Sequence, residues 1–341
     1  MSGSRSFRSE ELCDIGIEIT REGIRLLQKG YNVLRDRYLE HLTTDLTAKP
    51  SLTADKDVEK EFELKLKTRE HRRFESIKFF GEESFRRGKV DLTNEANTCV
   101  LVDALDGSDL YERELGNWCS AAIFFTPSNE AGKRIHAAIV GLPDETIYVA
   151  DDIDSHGVKV YLPDQRIFSP DEDNPRRGSF EIRDGGQRTL RGMSSVTRLS
   201  DASICFYGQK IPNLTITANK AGWRTVRIKD GEKDKLVPRV YNLAGIPMIL
   251  KLIDKPSETG SGIDLVMELE GQHAHDVVPG AFLAKRAGAT VLDLEGKEIT
   301  YARLEEVILK PNIEKLTYII ASTPQLAAEA AHTFGAQRSP P

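Results

Sequence analysis

The chain has 341 residues, 39% hydrophobic and 29% charged, enough for one large domain or two packed halves and ordinary for a soluble globular protein. Its 47 Lys and Arg against 53 Asp and Glu give a formal net charge of −6, which speaks against a nucleic-acid polymer as partner, because such proteins usually carry a basic face. Met1-Ser2-Gly3-Ser4-Arg5 has no apolar leader segment and no run reaches the ~18 apolar residues of a membrane span, so a cytoplasmic protein without a membrane partner is expected.

Leu12, Ile15, Ile19, Leu26, Leu27, Tyr31, Leu34 and Tyr38 recur at helical spacing and predict a long amphipathic helix, bent near Gly30. A second helix is expected to begin near Thr53, with Val58, Phe62 and Leu66 on one stripe and Thr53, Asp55 and Asp57 suited to its N-terminus. Short apolar runs at 77–80, 98–102, 121–125, 135–140, 146–150 and 158–162 read as strands, and their close succession favours an antiparallel sheet. Residues 163–195, rich in Asp, Arg, Gly and Ser, read as a long surface connection. Beyond it come a strand at 203–207, a helix from 242 to 253, a strand at 263–267, a helix from 276 to 287, strands at 290–294 and 318–321, and a closing helix from 324 to 334. The expected division is an α+β half over 1–195, an α/β half over 196–335 and a disordered tail over 336–341.

Cys13, Cys99, Cys119 and Cys205 have no metal-ligand spacing, and Cys99 and Cys119 lie in apolar runs where a thiol behaves as a small hydrophobe. His273 and His275 stand beside Asp276, but no further histidine–acid cluster completes a zinc site. The acids are more informative. Asp103 ends the run Cys99–Val102 and is followed, after Ala104 and Leu105, by Asp106, Gly107 and Ser108. Paired carboxylates at a strand end can hold a hard divalent cation, and a Gly-Ser turn can bring backbone N–H groups against phosphate. Glu82 and Glu83 follow Phe79-Phe80-Gly81, a run expected to deliver them to a fixed place. Asp276 also reads as the N-cap of its helix, with Pro279 in the first turn.

Gly81-Glu82-Glu83-Ser84, Asp103-Ala-Leu-Asp106-Gly107-Ser108 and His275-Asp276-Val-Val-Pro-Gly280, in this order, resemble the three motifs of the inositol monophosphatase superfamily, which includes fructose-1,6-bisphosphatases and 3′-phosphoadenosine 5′-phosphate phosphatases. The likeness extends to 53–60, 138–143 and 320–324 and so covers residues 10 to 335. It implies a layered αβαβα sandwich, a small phosphorylated metabolite as partner, and two or three Mg²⁺ ions. Glu82, Asp103 and the Leu105 carbonyl would hold one ion and Asp103, Asp106 and Asp276 a second, with Glu83 supporting a looser third. Gly107 and Ser108 would bind phosphate, and the Ser108 hydroxyl with Asp55 would orient the attacking water, so that Asp55, Glu82 and Ser108 form the catalytic set. Inhibition by Li⁺ is implied as well, and a homodimer is the expected assembly.

The sequence departs from the pattern where Ala104 replaces the usual Pro, Ser108 the usual Thr of inositol monophosphatases, and His275 the usual Trp. Glu268 falls in the segment that carries a substrate-hydroxyl acceptor in those enzymes, though it equally suits a solvent-facing strand end. The expected activity is Mg²⁺-dependent hydrolysis of a polyol or sugar phosphate. Alternatives are removal of one phosphate from a bisphosphorylated sugar or nucleotide, with Arg176, Arg177, Arg183 and Arg188 holding the second, and an inactive phospho-ligand-binding relative.

Overall fold

The computed structural model describes residues 7–41, 50–68, 74–82, 90–93, 95, 97–112, 116–127, 135–153, 155–170, 178–183, 185–206, 225–230, 233–238, 240–241, 243, 245–255 and 262–335. Two helices come first, α1 (Ser9–His41), unbroken through Gly30, and α2 (Pro50–Leu66). A seven-stranded sheet runs in the order β1-β2-β3-β4-β5-β6-β9. Its strands are β1 (Lys78–Gly81), β2 (Cys99–Asp106), β3 (Cys119–Phe125), β4 (Ile135–Gly141), β5 (Ile147–Asp151), β6 (Val158–Tyr161) and β9 (Gln187–Thr189). A short helix, α3 (Ser108–Glu112), leaves the end of β2.

The sheet is antiparallel, as expected, except at its first pair. β1 and β2 run parallel, with Lys78 opposite Cys99 and Gly81 opposite Val102. A parallel pair needs a crossover of a dozen or more residues, and the connection over 82–98 is long enough to supply one.

The five-stranded sheet has the order β13-β10-β14-β16-β15, from β10 (Ile204–Phe206), β13 (Val240–Tyr241), β14 (Leu265–Gln272), β15 (Thr290–Leu292) and β16 (Leu316–Ala321). Between its strands lie α4 (Ile246–Ile253), α5 (Ala274–Arg286) and α6 (Tyr301–Ile308), and α7 (Pro324–Ala330) follows β16.

Side-chain alternation along the strands sorts the core into three sandwiched clusters. Val100, Val102, Ala122, Phe124, Ile139 and Val149 pack under Leu12, Ile19 and Leu27 of α1 and Val58 and Phe62 of α2. On the opposite face, Leu101, Ala121, Ile123 and Val140 meet Ile249 of α4, Val278 and Phe282 of α5 and Leu304 of α6. The same cluster continues to Val266 and Ile320 of the second sheet. The outer face of that sheet, with Phe206, Leu265, Met267 and Ile319, is covered by Leu326, Ala327 and Ala330 of α7. The layers are therefore helix, sheet, helix, sheet, helix, the αβαβα order expected from the motifs.

Several expectations need correction. Residues 163–195, read as a long surface connection, contain strands: a hairpin of β7 (Gln165–Pro170) and β8 (Gly178–Arg183), and β9, which joins the seven-stranded sheet at its edge. A second hairpin, β11 (Thr225–Asp230) with β12 (Lys233–Pro238), was also unexpected. Among the described residues, each hairpin pairs only within itself. Helix α6 was missed too, although Thr300 caps it through its Oγ1, which accepts from Arg303 N at 3.2 Å, and Leu304, Val307 and Ile308 form its buried stripe. Helix α2 starts at Pro50 rather than Thr53, because proline supplies a preset first helical position. The 336–341 tail lies outside the described residues. Among the described residues no helix is long and apolar enough to cross a membrane.

Candidate active site

Strand β2 delivers two acids to one face through an irregularity. Cys99 and Leu101 face the middle helical layer and Val100 and Val102 face α1 and α2, so strict alternation directs Asp103 to the middle layer. The pairing with β3 then slips by one between Asp103 and Asp106. This bulge lets Ala104 and Leu105 both pack into the α1–α2 cluster. Asp106 meanwhile reaches the start of α4, where its Oδ2 accepts the Ile246 N–H at 3.0 Å. Asp103 is 1% exposed, and its Oδ1 accepts the Leu105 N–H at 3.0 Å.

Three other segments add acids. Asp55 lies in the second turn of α2, buried, with the buried Glu59 one turn further along. Glu59 was not singled out in the sequence, where it reads as part of a charged helix face. Its carboxyl lies against Gly81, where an added Cβ would collide with it and displace the Glu59 side chain, so glycine lets β1 end beside α2 with Glu59 in place. Asp276 comes from α5. It is not the N-cap: the helix starts two residues earlier than expected, with His273 as N-cap and Asp276 at the third helical position. From there its Oδ2 reaches back to accept the His273 N–H at 3.2 Å. Pro279 accordingly sits in the second turn, where its missing N–H forfeits one helical bond.

The acids sense one another strongly. Burial, then the charges of Glu82, Asp106, Asp276 and Asp55, push the Asp103 carboxyl well above the usual range. Burial and then Asp276 raise Asp106 to about 7, against the Ile246 N–H that lowers it. Hard oxygen donors set around a buried carboxyl suit a hard divalent cation, which relieves the repulsion and replaces lost hydration. By chemistry and burial Glu82, Asp103, Asp106 and Asp276 fit such an ion. As they stand, Asp103 Oδ1 and Asp106 Oδ2 are turned to backbone N–H groups, and among the described residues no three His, Cys, Asp or Glu are gathered closely enough to grip a metal. Glu83 lies outside the described residues.

Gly107 and Ser108 form the turn between β2 and α3. Gly107 has φ +87°, and a Cβ there would stand 3.0 Å from Asn117 O and 3.3 Å from Trp118 Cα, so glycine is required twice over. The turn is pinned from behind: Tyr111 packs edge-on to Trp118 at 5.3 Å and donates its hydroxyl to Leu27 O at 2.8 Å. Buried Asn117 accepts from Lys251 Nζ of α4 at 3.0 Å, a long-range contact with no local sequence signal.

Mycobacterium tuberculosis SuhB superposes with a TM-score of 0.57 at 14% identity, over 96% of this chain and 100% of that one. An inositol monophosphatase from Anabaena gives 0.58 at 14% identity, covering 95% of each chain. The fold is that of the inositol monophosphatases. Staphylococcal IMPase-II also has it, at a TM-score of 0.57 and 12% identity, with 95% of this chain and 93% of that one covered. No family model and no curated protein sequence matches the chain.

Within this inositol monophosphatase fold, other candidate residues occupy places the sequence did not reveal. Glu268 is not a solvent-facing strand end: it is fully buried in β14, and its Oε1 accepts the N–H groups of Glu270 at 2.8 Å and Gly271 at 3.0 Å across an irregularity in the strand. The role the structure displays for it is to hold that backbone. Arg188, expected to grip a second phosphate, instead donates Nη1 and Nη2 to the buried carboxylate of Asp254 at 3.0 and 2.5 Å. Arg176 and Arg177 lie outside the described residues, as does the side chain of Arg183. His273 and His275 are stacked 5.9 Å apart with an interplanar angle of 16°, not splayed around a shared ion. The four cysteines are free and buried, and Cys119 Sγ lies 3.7 Å from Asp106 Oδ2.

Proposed function

We propose that this chain is a Mg²⁺-dependent phosphatase that hydrolyses a small phosphomonoester, an inositol phosphate or another polyol or sugar phosphate. The observation that carries this reading is that the charges of Glu82, Asp106, Asp276 and Asp55 all act on the buried carboxyl of Asp103 and push it upward. Surrounding a buried carboxyl with so many like charges is costly unless cations compensate them, and a pure phospho-ligand binder has no use for them. Glu82, Asp103, Asp106 and Asp276 would hold the metal, with the Leu105 carbonyl as a further ligand. Bound there, Mg²⁺ would neutralise phosphate charge and activate water.

The chain's own groups do the rest. The rigid Gly107–Ser108 turn offers backbone N–H groups to the phosphate oxygens. Asp55, held on α2 by the packing of Val58 and Phe62, works with the Ser108 hydroxyl to orient the attacking water by hydrogen bonds. No covalent enzyme intermediate is required. The engagement of Arg188 by Asp254 favours a monophosphate over a bisphosphate substrate.

The test is a phosphate-release screen with Mg²⁺ across inositol phosphates, sugar mono- and bisphosphates and 3′-phosphoadenosine 5′-phosphate, with Li⁺ as the expected inhibitor. Absence of Mg²⁺-dependent release from every compound would overturn the reading.

A further inference from the structure

Asp276 has one carboxylate oxygen hydrogen-bonded to the start of its own helix and the other beside an imidazole of the first turn. Its Oδ2 accepts the His273 N–H at 3.2 Å, and its Oδ1 lies 3.4 Å from His275 Nε2. The imidazole of His275 has little freedom: the residue is 5% exposed, its ring stacks on His273, and its helix is packed into the core through Val277, Val278 and Ala281.

We propose that His275 is a positioning residue that presents Nε2–H to Asp276 Oδ1 and fixes this carboxylate for cation binding, an inference that rests on the metal-dependent reading above. A carboxylate already confined to one rotamer gives up less freedom on taking an ion. Hydrogen-bond donors to metal-ligating carboxylates typically change metal affinity by 10–100-fold when removed. The neutral ring with its proton on Nε2 suffices, so no charge is added to the acidic cluster. At this position the resembling motif carries Trp, so the arrangement belongs to this chain.

The experiment is a titration of the whole protein with Mn²⁺ alone, reading unbound ion by its electron paramagnetic resonance signal. His275→Phe removes the donor and keeps the bulk, and His275→Gln keeps an N–H donor. His275→Phe should bind Mn²⁺ about 10–100-fold more weakly than the unmodified protein, and His275→Gln should recover most of the difference. A merely structural role would lower the melting temperature of both variants without separating their affinities. Should His275→Phe fail to fold, His275→Met against His275→Gln gives the same comparison at matched length. Equal Mn²⁺ affinity in the donor-less variant and the unmodified protein removes the positioning role and leaves the metal reading intact. Failure of the unmodified protein to bind Mn²⁺ overturns both.

Discussion

Replacing Asp254 with Asn should cost the protein about 3 kcal/mol. The Asp254 carboxylate closes α4 and accepts bonds from Arg188 Nη1 and Nη2 at 3.0 and 2.5 Å, Arg191 N at 2.9 Å, Arg191 Nε and Nη2 at 3.2 Å, and Tyr148 OH at 2.8 Å. An amide keeps the shape but turns a donor toward the guanidinium donors and removes the charge. Breaking a buried pair from one side costs about 3–5 kcal/mol. Arg188 is 26% and Arg191 44% exposed, so water recovers part of their solvation and the lower end applies. With an unfolding entropy of about 0.7 kcal/mol/K for a chain of this length, the melting temperature should fall by ~4 °C.

The pH dependence follows from the same carboxyl. Burial on its own pushes Asp254 upward, but the bonds from Arg188, Arg191 and Tyr148 outweigh it and hold the group well below the usual range. The folded protein therefore takes up this proton less readily than the unfolded chain. The stabilisation is complete above about pH 4–5 and is lost as pH falls through the depressed folded value. Differential scanning fluorimetry across a pH series should show a constant gap between Asp254→Asn and the unmodified protein from neutral to about pH 5, narrowing below about pH 4. A gap under ~1 °C at neutral pH, or one that widens on acidification, would refute the reasoning.

Asp106→Asn and Asp276→Asn should each lower Mg²⁺-dependent phosphate release by at least about 100-fold with the fold intact by circular dichroism, because outer partners of such ligands alone are worth 10–100-fold; near-normal turnover sinks the ligand assignment. Gly107→Ala forces a side chain into positive φ against Asn117 O, and should cost about 1–3 kcal/mol in a denaturant titration. With Asp106 raised to about 7, protons compete with the cation, so the Mg²⁺ concentration for half-activation should fall as pH rises through that value; a flat dependence counts against Asp106 as a ligand. Glu268→Gln weakens two charge-assisted bonds and should destabilise by about 1–2 kcal/mol. It should leave the ratio of kcat/KM between a polyol phosphate and its deoxy analogue unchanged, and a changed ratio would return Glu268 to the substrate site.

Core strands and acid motifs were legible in the sequence because they obey local rules. Alternation along Cys99–Val102 marks a strand with two buried faces, and Asp103 and Asp106 follow it directly. What escaped was set at long range. Whether β1 runs parallel to β2 depends on a crossover, not on either strand's own residues. Glu59 becomes notable only when Gly81 is brought against it, and the Asn117–Lys251 contact spans 134 positions. Asp276 was misplaced by three positions because a third-position acid and an N-cap acid leave similar sequence traces, and only the His273 backbone distinguishes them.

The bond from Ile246 N to Asp106 Oδ2 joins residues 140 apart, and this has a consequence for the order of synthesis. A ribosome that has delivered residues up to 200 has supplied every strand of the seven-stranded sheet. Asp106 at that stage has neither the α4 N–H nor the Asp276 carboxylate to meet, and Asp103 has no helix of the middle layer above it. The acids of the nascent half then lack the cover of the middle layer, beside Leu101, Ile123 and Val140 of the same sheet face, while α1 and α2 are already available for the other face. Their environment is completed only when the segment from 246 to 286 closes over them and adds Asp276 and the Ile246 N–H, so a fragment ending before it should lack the full site.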